Sequence, residues 1–184
     1  MTNTTLLGEV TQLVTASSEP ARDGTAAVPS RRHCLDLDDY SRLEIEQVLE
    51  TSSAMREILD RPIKRTPALR GKTVVNCFYE SSTRTRVSFE VAAKNLSADV
   101  VNFSAGGSSV DKGESLIDTA RTLVALGADV LVMRHPMAGA PHVVAQNTGV
   151  SVVNAGDGRH AHPTQALLDL YTLRDALGKL AGKR

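Results

Sequence analysis

The sequence has few aromatic residues, few cysteines and no excess of charge of either sign. Aromatic residues make up 3% of the chain and tryptophan is absent, which argues against the ring platforms that bind single-stranded nucleic acids. Lys and Arg together number 21, as do Asp and Glu, so no bulk charge indicates a nucleic acid or a membrane surface as partner. Any anion site must therefore be local.

The two cysteines, Cys34 and Cys77, have neither a C-x-x-C spacing nor a histidine at the spacing of a zinc site, and we predict no metal site from them. Cys77 lies in an apolar run and is interpreted as a small buried residue. No apolar run approaches the ~18 residues of a membrane-spanning helix, and the N-terminus lacks the pattern of a signal peptide. The cytoplasm is the expected location.

The 184 residues are enough for one α/β domain with a tail. Residues 1–32 are rich in Ser, Thr, Ala, Pro and Arg without a sustained period, so we predict a disordered tail there and a folded domain over 33–184. The domain is expected to begin with a long amphipathic helix, with Asp38 or Asp39 as its cap and Pro62 just beyond its end.

From Gly71 onward, β-rich runs alternate with helical runs. Strands are predicted over 73–80, 99–105, 129–135 and 151–156, and helices over 82–98, 114–127, 141–149 and 163–178. The last three helices end at Gly127, Gly149 and Gly178, which fit the left-handed cap position. The pattern predicts an α/β fold with a doubly wound parallel sheet of four or slightly more strands and helices on both faces.

Unusual polar clusters follow all four predicted strands. They occupy residues 81–86, 106–114, 134–136 and 154–165. Ligands of parallel α/β sheets lie beyond the carboxyl ends of the strands, so these clusters are predicted to share one ligand site.

The first cluster, SSTRTR, opens a helix, and a helix N-terminus with added hydroxyl and guanidinium donors suits a phosphate. The alternative is an ordinary cap with a solvated arginine pair. The glycines and the Lys-Ser/Thr pair of a P-loop are missing. Taken alone, the loop that contains Lys112 is interpreted as a mobile surface connection with solvated charges.

Arg134 and His135 end an apolar strand. We expect Arg134 to contact an anion or a carbonyl group. We expect His135 either to cap a backbone group or to support a side chain that contacts the ligand. His162 precedes Pro163 at a predicted helix start, with Gln165 one turn later on the same face; from the residues alone, a functional and a structural role for His162 stay open. No nucleophile is paired with a base, so the site is predicted to hold a phosphorylated electrophile by hydrogen-bond donors.

Four motifs together resemble the transcarbamylase family. FYESSTRTRVSFE is similar to its carbamoyl-phosphate signature, SSVDKGES to its lysine loop, and VMRHP and NAGDGRHAHPTQALLDLYT to its next two strand-end motifs. The resemblance extends from about Leu35 to the C-terminus in the family's order. Ornithine enzymes share the STRTR motif, whereas the MRHP and NAGDG…HPTQ motifs match the aspartate type.

The resemblance implies transfer of the carbamoyl group from carbamoyl phosphate to the L-aspartate α-amine in pyrimidine biosynthesis, without a metal or organic cofactor. It further implies a role for each matching residue. Ser82, Thr83, Arg84 and Thr85 hold the phosphate, while Thr85, Arg134 and His162 polarise the carbamoyl carbonyl; Arg84 is counted with these three as catalytic. Gln165 holds the carbamoyl amide and contributes to carbamoyl-phosphate binding together with Arg134 and His162, and Ser108 and Lys112 serve aspartate or a neighbouring subunit's site. A homotrimer follows from this sharing, and a regulatory subunit is a further partner that the family allows.

Family members carry a second α/β domain that binds the aspartate, and we expect this chain to be the carbamoyl-phosphate half without it. L-Aspartate would then bind only if that domain is supplied. Two alternatives stay open at this point: a non-catalytic module for carbamoyl-phosphate binding or trimer assembly, and an ornithine-type transcarbamylase.

Overall fold

The computed structural model describes residues 31–104 and 113–182. Nearly all of the predicted tail, together with Ser108 and Lys112, lies outside these ranges. No helix among the described residues is long and apolar enough to cross a membrane.

The described elements alternate as the sequence predicts. In chain order they are α1 (Arg42–Leu59), a short 3-10 helix (Pro67–Leu69), β1 (Thr73–Phe78), α2 (Thr83–Asn95), β2 (Asp99–Ser104), α3 (Leu116–Ala125), β3 (Val130–His135), α4 (Ala140–Asn147), β4 (Ser151–Asp157) and α5 (Pro163–Leu177).

The four strands form one parallel sheet in the order β2-β1-β3-β4. The predicted doubly wound α/β fold is thereby confirmed. Cys34 adds an isolated parallel bridge outside β4, where its N–H donates to Val152 O at 2.9 Å and its carbonyl accepts from Asn154 N at 2.8 Å. The segment around Cys34 therefore covers the outer edge of β4.

Apolar side chains from both faces of the sheet form two buried clusters. On one face, residues such as Leu131, Met133 and Val152 pack with Val144 of α4. On the other face, Val74 and Phe78 of β1 are among the residues that pack with Ala93 of α2. Helices therefore cover both faces, as predicted.

Cys77 is buried on the first of these faces, as its apolar run indicates, and both cysteines are free thiols. Burial raises the pKa of Cys77 to about 12, since an apolar surrounding disfavours the charged thiolate. Cys77 is therefore a packing residue rather than a reactive one.

The start of α1 corrects one prediction. Ser41, rather than Asp38 or Asp39, is the cap: its hydroxyl accepts from Glu44 N at 3.2 Å, and its own N–H donates to the Glu44 carboxylate at 2.7 Å. This reciprocal pair is a capping box. Asp39 is unsuited to the role because it precedes the helix and pairs instead with Arg31 at 2.7 Å.

The end of α4 corrects a second prediction. Gly127 and Gly178 have the positive φ that was predicted for the residue after a helix. Gly149 does not, because α4 already ends at Asn147 and Thr148 continues in an extended conformation. The chain there enters β4 directly, without a left-handed turn.

We predict that Ser41→Ala lowers the free energy of unfolding by about 1 kcal/mol, since the backbone N–H of Glu44 loses the hydroxyl that accepts its hydrogen bond. Urea denaturation measures this change. Asp38→Ala is the matched control and should change the free energy of unfolding by only a few tenths of a kcal/mol; an equal loss in both variants would contradict the assignment of the cap.

Candidate functional site

The sheet order places a topological switch point between β1 and β3. From β1 the chain crosses to β2 on one side, whereas β3 and β4 lie on the other side. Loops diverge at such a point and leave a crevice at the carboxyl edge of the sheet, where ligands of this fold bind. Two predicted site segments flank this crevice, and Tyr79 N donates to Arg134 O across it at 2.9 Å.

The N-terminus of α2 borders the crevice with backbone donors that no side chain of its own cap satisfies. Ser82 is the cap residue, but its hydroxyl makes no capping hydrogen bond, and the first turn carries no acidic residue. In contrast, Ser41 caps α1 and Ser115 caps α3, each with an acidic residue in the first turn. The first N–H groups of a helix have no intrahelical partner, so α2 offers them, with its positive dipole end, to an anion.

A cavity of about 300 Å³ lies in front of this helix start. Its lining comes from the end of β1, the following loop, α2 and β2: Phe78, Tyr79, Glu80, Ser81, Ser82, Thr83, Arg86 and Ser104. Of the predicted phosphate-site residues, Ser82 and Thr83 line it, whereas Arg84 and Thr85 belong to the same helical turn without lining it.

Arg86 is the cation that the sequence prediction missed. It lies four residues after Ser82 and three after Thr83, which places it on the same helix face as both residues. Helical spacing within the SSTRTR motif could therefore have identified it. Glu80 and Ser104 were missed as well: Glu80 lies in the FYESSTRTRVSFE motif but was interpreted as the end of a strand, and Ser104 lies in the next strand.

Arg134, near the end of β3, does not line this cavity, but its incompletely paired guanidinium group lies beside Glu80, which does. Its Nη1 donates to Ala155 O at 3.2 Å, and its Nη2 is 3.6 Å from Glu80 Oε1. Its Nε is buried and has no hydrogen-bond partner among the described residues. A partly buried, partly paired guanidinium group is well suited to bind an oxygen of an anionic ligand.

His162 lies next to Arg134, at the cap position of α5. A Cβ atom added to Gly156, whose φ is +112°, would fall 2.7 Å from Arg134 Nη1 and 3.3 Å from His162 Cδ2. Both side chains therefore pack against the same glycine. Burial, and then the charge of Arg134, lowers the pKa of His162 below its ordinary value, so the ring is neutral at pH 7.

Three further residues from the sequence analysis, Gln165, Thr85 and His135, do not line the cavity. Gln165 is exposed, and its amide donates to Asp169 Oδ1 on α5 at 2.9 Å. Thr85 is half-buried in the first turn of α2, and its carbonyl accepts from Ser88 Oγ at 2.8 Å. His135 is buried beside the crevice, where its Nδ1 accepts from Met137 N at 3.0 Å, in agreement with the supporting role expected for it.

The loop before His162 is held by a buried pair of polar side chains, Asn154 and Asp157. The Asp157 carboxylate accepts from Gly139 N at 2.7 Å, from Ala161 N at 2.9 Å and from Asn154 Nδ2 at 2.9 Å. Burial raises the pKa of Asp157, but these hydrogen bonds outweigh burial and lower it below the ordinary value. The carboxylate therefore stays charged and fixes the backbone on both sides of it.

The fold and this site define a doubly wound α/β domain with a candidate anion site at its topological switch point. Residues 32–175 match the sequence model of the aspartate/ornithine carbamoyltransferase family, carbamoyl-P binding domain. The chain therefore belongs to the aspartate/ornithine carbamoyltransferase family.

Individual relatives agree with this assignment. The chain is 66% identical over 165 residues to the aspartate carbamoyltransferase catalytic subunit of Roseiflexus castenholzii, which covers 90% of the chain and 52% of the relative. The aspartate transcarbamoylase of Trypanosoma cruzi in complex with carbamoyl aspartate and phosphate is 38% identical, with a TM-score of 0.77 over 82% of this chain and 48% of that one. The catalytic subunit of M. jannaschii aspartate transcarbamoylase is 43% identical, with a TM-score of 0.74 over 81% of this chain and 48% of that one. The chain thus spans about half the length of the relatives that it matches.

We predict that Gly156→Ala disrupts the site beyond the cost of its backbone strain. Gly71 has a similar positive φ of +77° but nothing within 4 Å of an added Cβ, so Gly71→Ala is the matched control. Both variants should lose stability of order 1–3 kcal/mol. Only Gly156→Ala should also weaken the binding of inorganic phosphate measured by calorimetry, since its methyl group displaces Arg134; equal phosphate affinity in the two variants would contradict this packing.

We also predict that the free energy of unfolding falls as the pH is lowered below about 6.5. Burial lowers the pKa of His33, His135 and His162, so the unfolded chain binds more protons than the folded chain in that range. Urea denaturation at several pH values measures the slope. His135→Asn, which retains an acceptor for Met137 N, should reduce the slope; an unchanged slope would exclude a contribution from His135.

Proposed function

We propose that this domain binds carbamoyl phosphate and supplies the carbamoyl-phosphate half of an aspartate carbamoyltransferase. The observation that carries the proposal is the uncapped start of α2, which lies at the β1/β3 switch point together with Arg134 and its neighbour His162. This arrangement combines hydrogen-bond donors for an anion on one side of the crevice with a cation and a neutral imidazole on the other.

The phosphate is proposed to bind at the first turn of α2. Ser82, Thr83, Arg84 and Thr85 provide hydroxyl, backbone and guanidinium donors there, as the family resemblance implies. Arg86 adds a second guanidinium group that lines the same cavity. Donors of both kinds suit the three oxygens of a phosphate group.

The carbamoyl carbonyl is proposed to face Arg134 and His162, with Thr85 as a third donor. Attack by the aspartate α-amine forms the C–N bond and places negative charge on the carbonyl oxygen, which these donors stabilise. The bond to the phosphate oxygen then breaks, and the departing phosphate can accept the proton that the amine loses. Because the pKa of His162 is lowered, the ring acts as a neutral hydrogen-bond donor rather than as a second cation.

Gln165 is proposed to bind the carbamoyl amide. In the described structure its amide donates to Asp169, so its side chain must rotate away from that exposed partner for this role. Such a rotation costs little, because a surface hydrogen bond is exchanged for one with the ligand.

The proposed assembly is a homotrimer in which Ser108 and Lys112 serve a neighbouring subunit's site. L-Aspartate would be held largely by a second domain, and a regulatory subunit is a further candidate partner. The T. cruzi enzyme named above was solved with carbamoyl aspartate and phosphate, and also with carbamoyl phosphate and aspartate, which supports the two substrates by analogy. The role in pyrimidine biosynthesis is part of the same proposal, and the cytoplasmic location stays a prediction.

The proposal predicts that removing either α2 arginine weakens phosphate-ligand binding. Each of Arg84→Ala and Arg86→Ala should lose about 1.5–3 kcal/mol of a charge-assisted contact, which is roughly 10- to 150-fold in the dissociation constant. Calorimetric titration of the chain with carbamoyl phosphate, and with inorganic phosphate, measures this. Arg121→Ala on the exposed side of α3 is the control and should bind normally.

The result also ranks the two arginines. The cavity lining favours the larger effect for Arg86, whereas the family resemblance favours Arg84. Wild-type affinity in both variants would overturn the assignment of the α2 start as the phosphate site.

Transfer itself is tested by adding L-aspartate or L-ornithine to the chain with carbamoyl phosphate, with and without the remaining half of a relative's catalytic subunit. Carbamoyl aspartate as the sole product supports the proposal. Saturable binding without turnover under every condition would instead support a non-catalytic binding module, and carbamoylation of ornithine would support the ornithine-type alternative.

A further inference from the structure

Two histidines and an aspartate from three segments meet behind the loop that carries His162. His142 lies on α4, Asp157 ends β4, and His160 lies in the loop between β4 and α5. One ligand atom from each of the three side chains lies within 4.8 Å of the others. The proposed carbamoyl transfer uses none of their side-chain donors or acceptors.

His142 is held in the orientation of a metal-binding histidine. Its Nε2 lies 3.0 Å from Asp36 Oδ2, while its Nδ1 is buried without a hydrogen-bond partner among the described residues. With the proton on Nε2, donated to Asp36, the ring presents a free lone pair at Nδ1. Metal-ligating histidines typically donate their other N–H to a carboxylate in this way, which fixes the tautomer and the ring orientation.

His160 supplies the second imidazole. Its Nδ1 lies 2.9 Å from Asp157 Oδ2, and its ring meets that of His142 edge to face with centroids 5.6 Å apart. Both rings are partly exposed, with 33% and 40% of their side-chain surface accessible. The rings are therefore partly open to solvent, whereas His142 Nδ1 itself faces the protein interior.

Asp157 supplies a fixed negative charge beneath the two rings. It is fully buried, and its hydrogen bonds from Gly139, Ala161 and Asn154 hold it in one position. His160 occupies the remaining position on Oδ2, which is where an ion would bind.

We propose that His142, His160 and Asp157 bind a divalent transition metal ion of the Zn²⁺ class, with Asp36 orienting His142. Two imidazoles and one carboxylate are a ligand set for Zn²⁺, Ni²⁺ or Co²⁺, with water completing the coordination. Ligand atoms about 2.1 Å from a metal ion are at most about 4.2 Å apart. The ligand atoms lie within 4.8 Å of one another, so a shift of less than about 1 Å, to which the partly exposed His160 ring can contribute by rotating, brings them to this range.

The ion would link α4 to the loop at His160, two residues before His162. This proposal does not depend on the carbamoyl-transfer proposal. Cysteine spacing, from which the sequence analysis predicted no metal site, carries no information about a site made of histidines and an aspartate. The three ligands, at positions 142, 157 and 160, and the orienting Asp36 have no motif spacing, and they meet only through the packing of the fold, in which α4 contacts β4.

The test is calorimetric titration of the complete, tag-free chain with Zn²⁺, together with the visible absorption of its Co²⁺ complex. We expect one saturable site per chain, a rise in Tm with Zn²⁺, and at least a tenfold loss of affinity in His142→Ala and in His160→Ala. Asp36→Asn should weaken binding by about 10- to 100-fold, because it removes only the orienting carboxylate. His33→Asn, which retains an acceptor for Val152 N, is the matched control.

The inference is overturned if no saturable site is found, or if His33→Asn weakens binding as much as His142→Ala does. Normal affinity in Asp36→Asn would mean that surface histidines bind the ion without the proposed geometry. A cooperative thermal unfolding transition of each metal-free variant shows that it is folded without relying on phosphate binding, which keeps this result separate from the carbamoyl-phosphate proposal.

Discussion

The buried carboxylate of Asp157 is the constraint on which the rest of the site depends. A charge removed from water must be compensated by hydrogen bonds, and here the donors are the backbone of Gly139 and Ala161 and the side chain of Asn154. These bonds fix the start of α4 and the loop that leads to His162. Asn154 also accepts from Gly156 N at 2.9 Å, and Gly156 in turn leaves room for Arg134 and His162. One buried charge thus helps to position both Arg134 and His162.

The two sides of the crevice are built by different means. At α2 the donors are backbone groups and exposed arginines, whose positions follow from where the helix begins. At β3 and β4 they are partly buried side chains, whose positions follow from packing. Substitutions on the first side should act mainly on affinity, whereas those on the second side should affect folding and binding together.

The order of elements and the location of the site could be predicted from the sequence, because both follow from local patterns: alternation of strand and helix, and polar residues after each strand. Features decided by tertiary contacts could not. Ser41 caps α1 in place of the predicted Asp38 or Asp39, since Arg31 pairs with Asp39. Helix α4 ends at Asn147, before the predicted Gly149. Arg86 was within reach of the sequence through its spacing from Ser82. The contact between His142 and His160 could not be predicted from the sequence, since it depends on how α4 packs against β4.

The pairing of Cys34 with β4 has a practical consequence. Without residues 33–35, Val152 O and Asn154 N would lose their partners, and Asn154 Nδ2 would lose the carbonyl of Leu35, to which it donates at 2.8 Å. The outer strand would then present an open row of backbone donors and acceptors, which is a template for pairing between copies. Shortened forms of the protein that begin beyond Leu35 would thus aggregate through β4, and a usable boundary lies before Arg31.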